Sequence, residues 1–554
     1  MSLHPLAVYL VPEDTARVAH AAFPKGNRYL ALRDEFGAIF EDRAFTALFS
    51  ARGRSAIAPA QLALVTILQF AEGLSDLQAA DAVRARIDWK YLLSLELDDY
   101  GFDASVLCEL RARLLVGEQE TLLLDTLLAL CRERGLLKAR GQQRTDSTHV
   151  LAAVRALNRL EVVGETLRHT RNSLAVAVPE WLRALAPPEW GERYARRAED
   201  DRLPAKQAAR AALALTIGAD GFALLAAAYG PDAPAWLREV PAVATLRRVW
   251  VQQYHRDEGT IRWRGSDDIP PSAVFISSPH DGDAHYARKR TTQWVGYKVH
   301  LTETCDRELP HLITNVATTA GPTADGAVTP AIHAALKERD LLPSTHIVAT
   351  GFLDAALLVT SQADYGVELL GPTRGDDRWQ ARAGEGFDAQ HFRIDWEQQQ
   401  ATCPAGRTSL SWTPAVDKRT NAVIKVKFSS ADCRHCASLA QCCHSQKKYP
   451  RRTITIRPQA QYVALQAARR RAETPEFAVA YGARAGIAGT LSRGVRTCHL
   501  RQTRYIGQAR THLGHVFTAV ALNFLRLGEW FADRPRARTR RTPFAKLMAE
   551  SSAA

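Results

Sequence analysis

Strand-like segments alternate with helix-like segments in the middle of the chain, and this alternation narrows the possible folds more than any other feature. Strand-like runs begin at Trp294, Leu312, His346 and Val367, and helix-like stretches at 326–338 and 354–364 separate the later ones. Strands that alternate with helices form a sheet whose parallel strands are joined by helical crossovers. The pattern therefore predicts an α/β fold in this part of the chain.

Helical patterns dominate the sequence on both sides of this region. Apolar residues recur at three- and four-residue spacing in 58–70, 77–86 and 104–115, in a long stretch from Leu151 to about Tyr254, and in 474–531. The chain has 554 residues, which is enough for about three or four domains of ordinary size. We therefore expect a multidomain protein with helical regions around an α/β core.

The sequence contains no feature that predicts a membrane or secreted protein. No apolar run approaches the ~18 residues of a membrane span. The N-terminus, Met1 to Leu6, lacks the basic-then-apolar layout of a secretory signal. We therefore expect a cytoplasmic protein without a membrane partner.

Positive charge is concentrated near the C-terminus. The chain carries a net charge of +13, and residues 481–554 contain twelve Arg and one Lys against three acidic residues. Basic segments of this kind bind nucleic acid phosphates and release their counterions. A solubilising tail explains the same charge equally well.

Five of the nine cysteines lie between residues 403 and 443. In a cytoplasmic protein such a cluster indicates a metal site before disulfides. Four thiolates would satisfy a tetrahedral Zn²⁺ ion and leave no open position for chemistry, so the metal would be structural. The candidate ligands are Cys403, Cys433, Cys436 and Cys442 or Cys443, with His435 and His444 as substitutes. Buried cysteines without metal are the alternative.

Asp146 is the first candidate catalytic residue. It stands in a short strand-like segment, where a single aspartate is weak evidence because many strands end in a surface acid. The rest of the sequence makes Asp146 a stronger candidate. The chain resembles, essentially end to end, the DDE transposases of bacterial insertion sequences, specifically the family eleven-eighty-two. The segments that carry the resemblance begin at Phe102 (FDASVLCELRARLL), Arg144 (RTDSTHVLAAVR), Trp294 (WVGYKVHLTET), Ala383 (AGEGFD) and Arg484 (RAGIAGTLSRG).

The resemblance implies an RNase H-like catalytic core with added helical and zinc-binding parts. The implied domains are a helical N-terminal DNA-binding or dimerisation domain (1–135), the core (140–372) with a helical insertion (151–280), a Cys-rich zinc-binding insertion (373–470), C-terminal catalytic helices (471–531) and a basic tail (532–554). The family's usual Cys-x5-Cys spacing favours Cys442 over Cys443 as the fourth zinc ligand.

In such enzymes three carboxylates from distant positions hold two Mg²⁺ or Mn²⁺ ions about 3.5–4 Å apart. The resemblance assigns the first carboxylate to Asp146. The second would stand at the end of a later strand, where this chain has Ala349. Asp354 and Asp364 are nearby acids, but neither stands at that strand end.

The third carboxylate of the family follows a Tyr and an Arg on a C-terminal helix, as Tyr-x2-Arg-x3-Glu. This chain has Tyr481 and Arg484 in those positions, but Ala488 where the Glu belongs. The resemblance therefore implies a transposase that has lost two of its three metal-binding carboxylates.

The resemblance also implies residues that bind DNA. Tyr481 and Arg484 belong to the family's signature for handling phosphates at the transposon end. Arg493 or Arg496 would replace a later lysine of that signature, whose place Val495 takes. The further candidates are Arg501 and Arg504 on the C-terminal helices, and Lys298 on a predicted strand, where packing at the core edge is equally plausible. The implied partners are double-stranded DNA, as transposon ends and target, and a second copy in a homodimer.

Three functions are compatible with these features. The first is a transposase that binds terminal inverted repeats and cleaves and joins DNA strands with metal ions, here catalytically disabled. The second is a non-catalytic DNA-binding regulator derived from a transposase. The third is a zinc-ribbon structural or interaction protein, which leaves the matches around Asp146 and Tyr481 unexplained. We favour the first function, carried out in the bacterial cytoplasm at the nucleoid.

Overall fold

A computed structural model of the chain describes residues 1–6, 9–199, 203–376, 378–382, 384, 386–445, 448–534 and 542–544. These residues form both helices and sheets, which confirms the predicted mixed α/β fold. The chain divides into two compact units. Unit 1 comprises Met1–Leu137, Arg307–Ile313 and Ser492–Ala554, and unit 2 comprises Lys138–Asp306 and Thr314–Leu491. Most of the basic tail lies outside the described residues, as do Ala383 and Glu385 of the fourth segment quoted above.

The helices and strands are numbered in chain order. The first part of the chain contains α1 (Glu13–Ala22), α2 (Arg28–Phe36), α3 (Pro59–Glu72), α4 (Asp76–Ala85), α5 (Ile87–Leu93), α6 (Ser105–Val116) and α7 (Leu122–Glu133). The middle part contains β1 (Gln142–Leu151), α8 (Arg159–Ala177), α9 (Pro179–Leu185), α10 (Pro188–Tyr194), α11 (Gln207–Ala228), α12 (Pro241–Gln253), β2 (Tyr254–Asp257), β3 (Thr260–Trp263), β4 (His285–Lys289), β5 (Thr292–Thr304), β6 (Ile313–Ala320), α13 (Thr329–Glu338), β7 (Thr345–Val348), α14 (Ala355–Tyr365) and β8 (Glu368–Leu370). The last part contains α15 (Trp379–Arg382), β9 (Arg393–Asp395), β10 (Gln400–Thr402), β11 (Ser411–Val416), β12 (Ala422–Lys427), α16 (Ser430–Arg434), α17 (Leu439–Cys442), β13 (Thr453–Ile456), α18 (Gln459–Ala472), α19 (Pro475–Gly482), α20 (Ala485–Thr497) and α21 (Gln508–Phe531).

Helices α3 and α21 form the centre of unit 1. α3 begins at Pro59, where the missing N–H costs no hydrogen bond, and it ends at Gly73, which adopts the left-handed conformation with φ of 70°. α21 buries most of its length, and its Phe517 ring packs edge-to-face against Phe70 of α3 at 5.4 Å. The apolar faces of these two helices therefore provide the core of unit 1.

The main sheet of unit 2 has the strand order β4-β5-β1-β7-β8, and β6 also pairs with β5. β5 runs antiparallel to β1, whereas β7 is parallel to β1 and β8 is parallel to β7. Helices α13 and α14 provide the connections from β6 to β7 and from β7 to β8. The alternation seen in the sequence therefore corresponds to β5, β6, β7 and β8 with their two connecting helices.

Helices α8 to α12 and the hairpin β2–β3 lie between β1 and β4 in sequence and share a core of their own. Leu167, Leu224, Leu246, Trp250 and Tyr254 are among its buried residues. The helical character of this insertion agrees with the sequence pattern. The hairpin and the strand β4 were not predicted, because each of these strands is only four or five residues long.

One helix of the described part of the chain, α11, is long and apolar enough to cross a membrane, with a mean hydropathy of 1.8 in its most apolar window. This corrects the expectation that no segment approaches such a length. The core helix of a soluble protein can have the same length and composition. Ala214, Ile217 and Leu224 of α11 are buried in the core of the insertion, so the helix is weak evidence for a membrane span.

We predict that Gly221→Ala destabilises the protein by about 1–3 kcal/mol through overpacking. The added methyl group would lie 2.0 Å from Cζ2 of Trp250. Gly191→Ala in α10 is the matched control, because nothing lies within 4 Å of its added methyl group and alanine is the better helix former. Urea unfolding followed by tryptophan fluorescence measures both variants. A Gly221→Ala variant that unfolds at the same urea concentration as the unmodified protein would contradict the packing described for Trp250.

Candidate active site and cysteine cavity

Asp146 lies in β1, and Ala349 directly follows β7, the parallel strand beside it. β1 pairs with β7 in a register that ends with Thr145 opposite Val348; Asp146 is the next residue of β1, and Ala349 continues from β7 in an extended conformation. Paired strands lie about 4.8 Å apart, and residues in register project to the same side of the sheet. The first two predicted carboxylate positions are therefore adjacent in space, although they are distant in sequence.

Arg484 connects the C-terminal helices to the same place. Its Nη2 donates a hydrogen bond to Oδ2 of Asp146 at 2.6 Å, and the two side chains are 25% and 18% exposed. Arg484 lies in the turn directly before α20, and Ala488 is the fourth residue of that helix. Ala488 is exposed to solvent. The third predicted position therefore stands in the first turn of the helix whose start Arg484 joins to Asp146.

A buried ion pair fixes the start of α20 against the sheet. Arg144 of β1 and Glu303 of β5, which are 5% and 0% exposed, are joined at 2.6 Å, and Arg144 also donates to the carbonyl oxygen of Ala483. The Thr490 hydroxyl donates to Oε2 of Glu303 at 2.6 Å. Gly486 permits this close approach, since a methyl group there would lie 2.2 Å from the Arg144 guanidinium.

Asp325 lies beside these strands and was not singled out from the sequence. Its Oδ1 accepts hydrogen bonds from Ser147 at 3.3 Å and Lys298 at 3.2 Å, and its Oδ2 accepts one from Lys289 at 3.3 Å. A methyl group on Gly351, in the turn after β7, would lie 3.2 Å from Oδ2 of Asp325. Burial acts to raise the pKa of Asp325, but the lysines outweigh burial and hold this pKa below its usual value. Asp325 is therefore an ionised carboxylate that two lysines neutralise.

Lys298 and Asp354 are held by contacts within the protein, and Asp364 is exposed. Lys298, a candidate for DNA binding, is 9% exposed and donates to a backbone carbonyl oxygen at 2.6 Å as well as to Asp325. It therefore packs at the edge of the core rather than at an open surface. Asp354 caps the N-terminus of α14 by accepting hydrogen bonds from two backbone N–H groups, and Asp364 is exposed on the same helix.

The residues present at the candidate active site do not fit a pair of Mg²⁺ ions. Two hard cations need several carboxylate oxygens, whereas the three predicted positions supply Asp146 alone. Oδ2 of Asp146 is already bonded to Arg484. In the arrangement that the described ranges show, three or more His, Cys, Asp or Glu side chains are nowhere grouped as metal ligands, at this site or elsewhere. The site balances its acidic side chains with arginine and lysine instead.

The four predicted zinc ligands border one small cavity in the Cys-rich region. Its lining includes Cys403, Cys433, Cys436 and Cys442. Cys403 begins a tight turn in which the Arg407 N–H donates to its Sγ at 3.4 Å and Gly406 adopts φ of 77°. Cys443 faces elsewhere, with its Sγ 3.6 Å from the carbonyl oxygen of Arg451. The thiols thus surround one space without forming a ready-made metal cluster.

Cys433 and Cys442 in this cavity are unsuited to nucleophilic catalysis. Burial raises the pKa of Cys433 above its usual value and raises the pKa of Cys442 to about 11. Such thiols are protonated at neutral pH, whereas catalysis requires the thiolate. A bound Zn²⁺ ion would favour the thiolate, because metal binding releases the proton. Without a metal ion, these two cysteines are therefore poor nucleophiles.

The remaining DNA-binding candidates occupy different environments. Tyr481 stacks on Phe477 with 5.4 Å between ring centroids. Arg493 is partly buried, and this burial lowers its pKa. Arg496, Arg501 and Arg504 are exposed. Exposed arginines are accessible to phosphates, although Arg504 also lies over the Phe70 ring at 5.5 Å. Tyr481 and Arg493 pack more deeply within the protein.

Two protein-family models match parts of the chain. The one described as "Transposase DDE domain" matches residues 402–528, which include Tyr481, Arg484 and Ala488, and the one described as "Transposase domain (DUF772)" matches residues 17–113. Asp146 and Ala349 lie outside both matches. No curated protein matches the chain. The two family matches support an insertion-sequence DDE transposase, a kind of protein that acts on DNA.

Proposed function

We propose that this protein is a transposase of the insertion-sequence family eleven-eighty-two that binds the terminal inverted repeats of its element but does not cut them in its present form. The observation that carries the proposal is the position of Ala349 beside Asp146, with Arg484 joining the start of α20 to the same carboxylate. A two-metal nucleotidyl transferase needs acids at such positions. Asp146 alone offers two carboxylate oxygens, so metal-dependent strand cleavage should be absent.

The arrangement of the sheet supports an RNase H-like core. Strands β6-β5-β1 are followed by β7 and β8 across the sheet, and β7 and β8 run parallel to β1. In this proposal residues 140–372 form the core with its insertion at 151–280, and 471–531 complete it. Residues 1–135 bind DNA or dimerise, 373–470 hold zinc, and 532–554 form a basic tail. The protein would act as a homodimer on transposon ends and target DNA, in the cytoplasm at the nucleoid.

A non-catalytic regulator derived from a transposase is the second candidate. The ion pair between Arg484 and Asp146 favours it, because an arginine already neutralises the one remaining carboxylate of the three. The two candidates differ in what happens when the missing acids are restored. A disabled enzyme should regain strand cleavage, whereas a regulator that derives from a long-decayed transposase should not.

We predict that Ala349→Asp together with Ala488→Glu restores cleavage of transposon-end DNA in Mg²⁺ or Mn²⁺, and that either change alone restores little. The added acids repel one another and Asp146 until a cation binds, so Mg²⁺ should also raise the melting temperature of the double variant only. Cleavage is measured on end-labelled DNA, and the melting temperature by calorimetry.

The matched control carries Asp146→Asn in addition to the two restored acids and should stay inert. Efficient cutting by the unmodified chain would contradict the assignment of Ala349 and Ala488. A double variant that binds end DNA but neither cuts it nor responds to Mg²⁺ would favour the regulator.

The cysteine cavity is the proposed site of one structural Zn²⁺ ion with Zn–S distances of ~2.3 Å. We predict about one zinc per chain in purified protein. Cys436→Ser should lose most of this zinc and lower the urea midpoint, because the remaining three thiols cannot complete the tetrahedron. Cys443→Ser is the control, and it should keep both the zinc and the urea midpoint of the unmodified protein. Elemental analysis showing full zinc in Cys436→Ser would rule out this ligand set.

DNA binding should depend on salt through the exposed arginines after α20. Replacing Arg501 and Arg504 with Ala should weaken binding and flatten the slope of log K against log salt by about 1.8, at ~0.9 per lost phosphate contact. Arg419→Ala is the control, because Arg419 is exposed in the turn between β11 and β12, within the region that the proposal assigns to zinc rather than to DNA. Fluorescence anisotropy at several salt concentrations measures the slopes. An unchanged slope would assign these two arginines to a solvated surface.

A further inference from the structure

The turn of the hairpin β4–β5 carries a compact group of cations that was not singled out from the sequence. Arg288, Lys289 and Arg290 are consecutive and exposed, and Arg290 belongs to the two-residue turn that joins the strands. We call these three residues the basic tip. No acidic residue occurs in the sequence from 284 to 302. Within the described ranges, only Lys289 of the basic tip forms an ion pair.

The hairpin is firmly held at its base. Nδ1 of His285 donates to the carbonyl oxygen of Phe275 at 2.9 Å. A methyl group on Gly321, directly after β6, would lie 2.9 Å from Cβ of Ala287, so β4 packs closely against the end of β6. The position of the basic tip relative to the sheet is therefore set by contacts at the other end of the hairpin.

Arg290 occupies a backbone conformation that favours other residues. Its φ of 57° lies in the left-handed region, where two-residue hairpin turns usually place glycine or asparagine. The Arg288 Nε–H donates to the carbonyl oxygen of Arg290 at 3.1 Å, which uses only one of the five guanidinium N–H groups. The protein therefore keeps a long cation at a strained position, and such strain often accompanies a role in binding.

Asp325 connects the basic tip to the candidate active site. Lys289, whose side chain is 58% exposed, donates to Oδ2 of Asp325 at 3.3 Å. The same carboxylate accepts a hydrogen bond from Ser147, the residue that follows Asp146, and it lies beside Gly351 in the turn after β7. The basic tip therefore lies next to the ends of the two strands that carry the candidate catalytic positions.

We infer that the basic tip binds phosphates of the DNA strand that reaches the candidate active site. Lys298 also donates to Asp325, at 3.2 Å, so Lys289 and the two arginines leave positive charge in excess. Guanidinium groups bind phosphate oxygens in pairs, and a two-stranded hairpin fits against a DNA groove. The inference rests on the proposed function, which makes DNA the partner, and it adds a contact in unit 2, whereas Arg501 and Arg504 belong to unit 1.

Protection of a sheet edge is the other role that charges on this hairpin could have. β4 stands at one end of the strand order, and charged side chains on edge strands prevent the sheets of two molecules from pairing. Charges of either sign serve that purpose anywhere along the strand. The basic tip instead contains only cations and lies at the turn, which favours an anionic partner.

The experiment uses the full chain and a labelled duplex that spans the junction between the transposon end and its flanking DNA. The double variant Arg288→Gln with Arg290→Gln should weaken binding about tenfold and lower the slope of log K against log salt by about 1.8, at ~0.9 per lost phosphate contact. Arg288→Lys with Arg290→Lys keeps the charge and should keep most of the binding. Fluorescence anisotropy measures all of these.

Lys418→Gln with Arg419→Gln is the matched control. Both residues are exposed in the turn of another hairpin, β11–β12, in the Cys-rich region. Removing these two charges should leave the affinity and the slope unchanged. Equal urea midpoints show that each variant is folded.

Neutral methylphosphonates in the DNA locate the contact. Placed at the phosphates next to the junction, they should weaken binding of the unmodified protein but not weaken the double glutamine variant further, because its contacts there are already lost. Placed one helical turn (~10 base pairs) inside the transposon end, they should affect both proteins equally.

Arg290→Asn separates binding from folding. Asparagine tolerates the left-handed conformation but carries no charge, so this variant should unfold at a higher urea concentration and yet bind DNA more weakly. A purely structural role for Arg290 would not weaken DNA binding in a more stable variant.

Three results would overturn the inference. The first is a double glutamine variant that binds the duplex as tightly as the unmodified protein. The second is increased self-association of that variant with unchanged DNA binding, which would assign the arginines to edge protection. The third is an equal effect of the methylphosphonates next to the junction on both proteins, which would place the contact elsewhere on the DNA. Failure of the unmodified protein to bind the duplex would overturn the proposed function as well, whereas any of the three results leaves the proposed function intact.

Discussion

The candidate active site depends on the buried ion pair between Arg144 and Glu303. Burying two charges is costly unless further hydrogen bonds satisfy them, and the Ala483 carbonyl and Thr490 hydroxyl provide these bonds. Removing either partner would leave an unpaired buried charge, at a cost of ~3–5 kcal/mol. It would also release the start of α20, which directly follows Arg484. The ion pair between Arg144 and Glu303 takes part in no reaction, but it sets the geometry around Asp146.

The charge balance around β1 explains how the site persists with alanine at 349 and 488. An active two-metal site gathers several carboxylates, which repel one another unless divalent cations neutralise them. Here a single arginine balances Asp146 and two lysines balance Asp325. Neither balance requires a metal ion. The charges of the described residues around β1 are therefore balanced by arginine and lysine alone.

The sequence predicted features that depend on local patterns and missed those that depend on distant contacts. The strands β5 to β8 with α13 and α14 followed from alternating periodicity, and the cysteine cluster followed from spacing. Asp325 could not be found in this way, because it stands in a short 3-10 helix and its partners come from β4, β5 and β1. The hairpin β2–β3 was missed because each of its strands has only four residues, too few to give a clear pattern. The proposed roles of Asp146, Ala349 and Ala488 came from family resemblance, since no local pattern distinguishes an alanine that replaces an acid.

The helical insertion also affects how the protein is assembled during synthesis. β1 is complete at Leu151, but its antiparallel partner β5 ends only at Thr304, and β7 follows later still. Pairing across such a separation carries a large loop-closure entropy, and topologies dominated by distant contacts fold slowly. An insertion with its own core can fold as a unit as it leaves the ribosome and so shorten the flexible connection. We therefore expect the insertion to fold first, β1 and β5 to pair second, and the neighbouring positions of Asp146 and Ala349 to be established last.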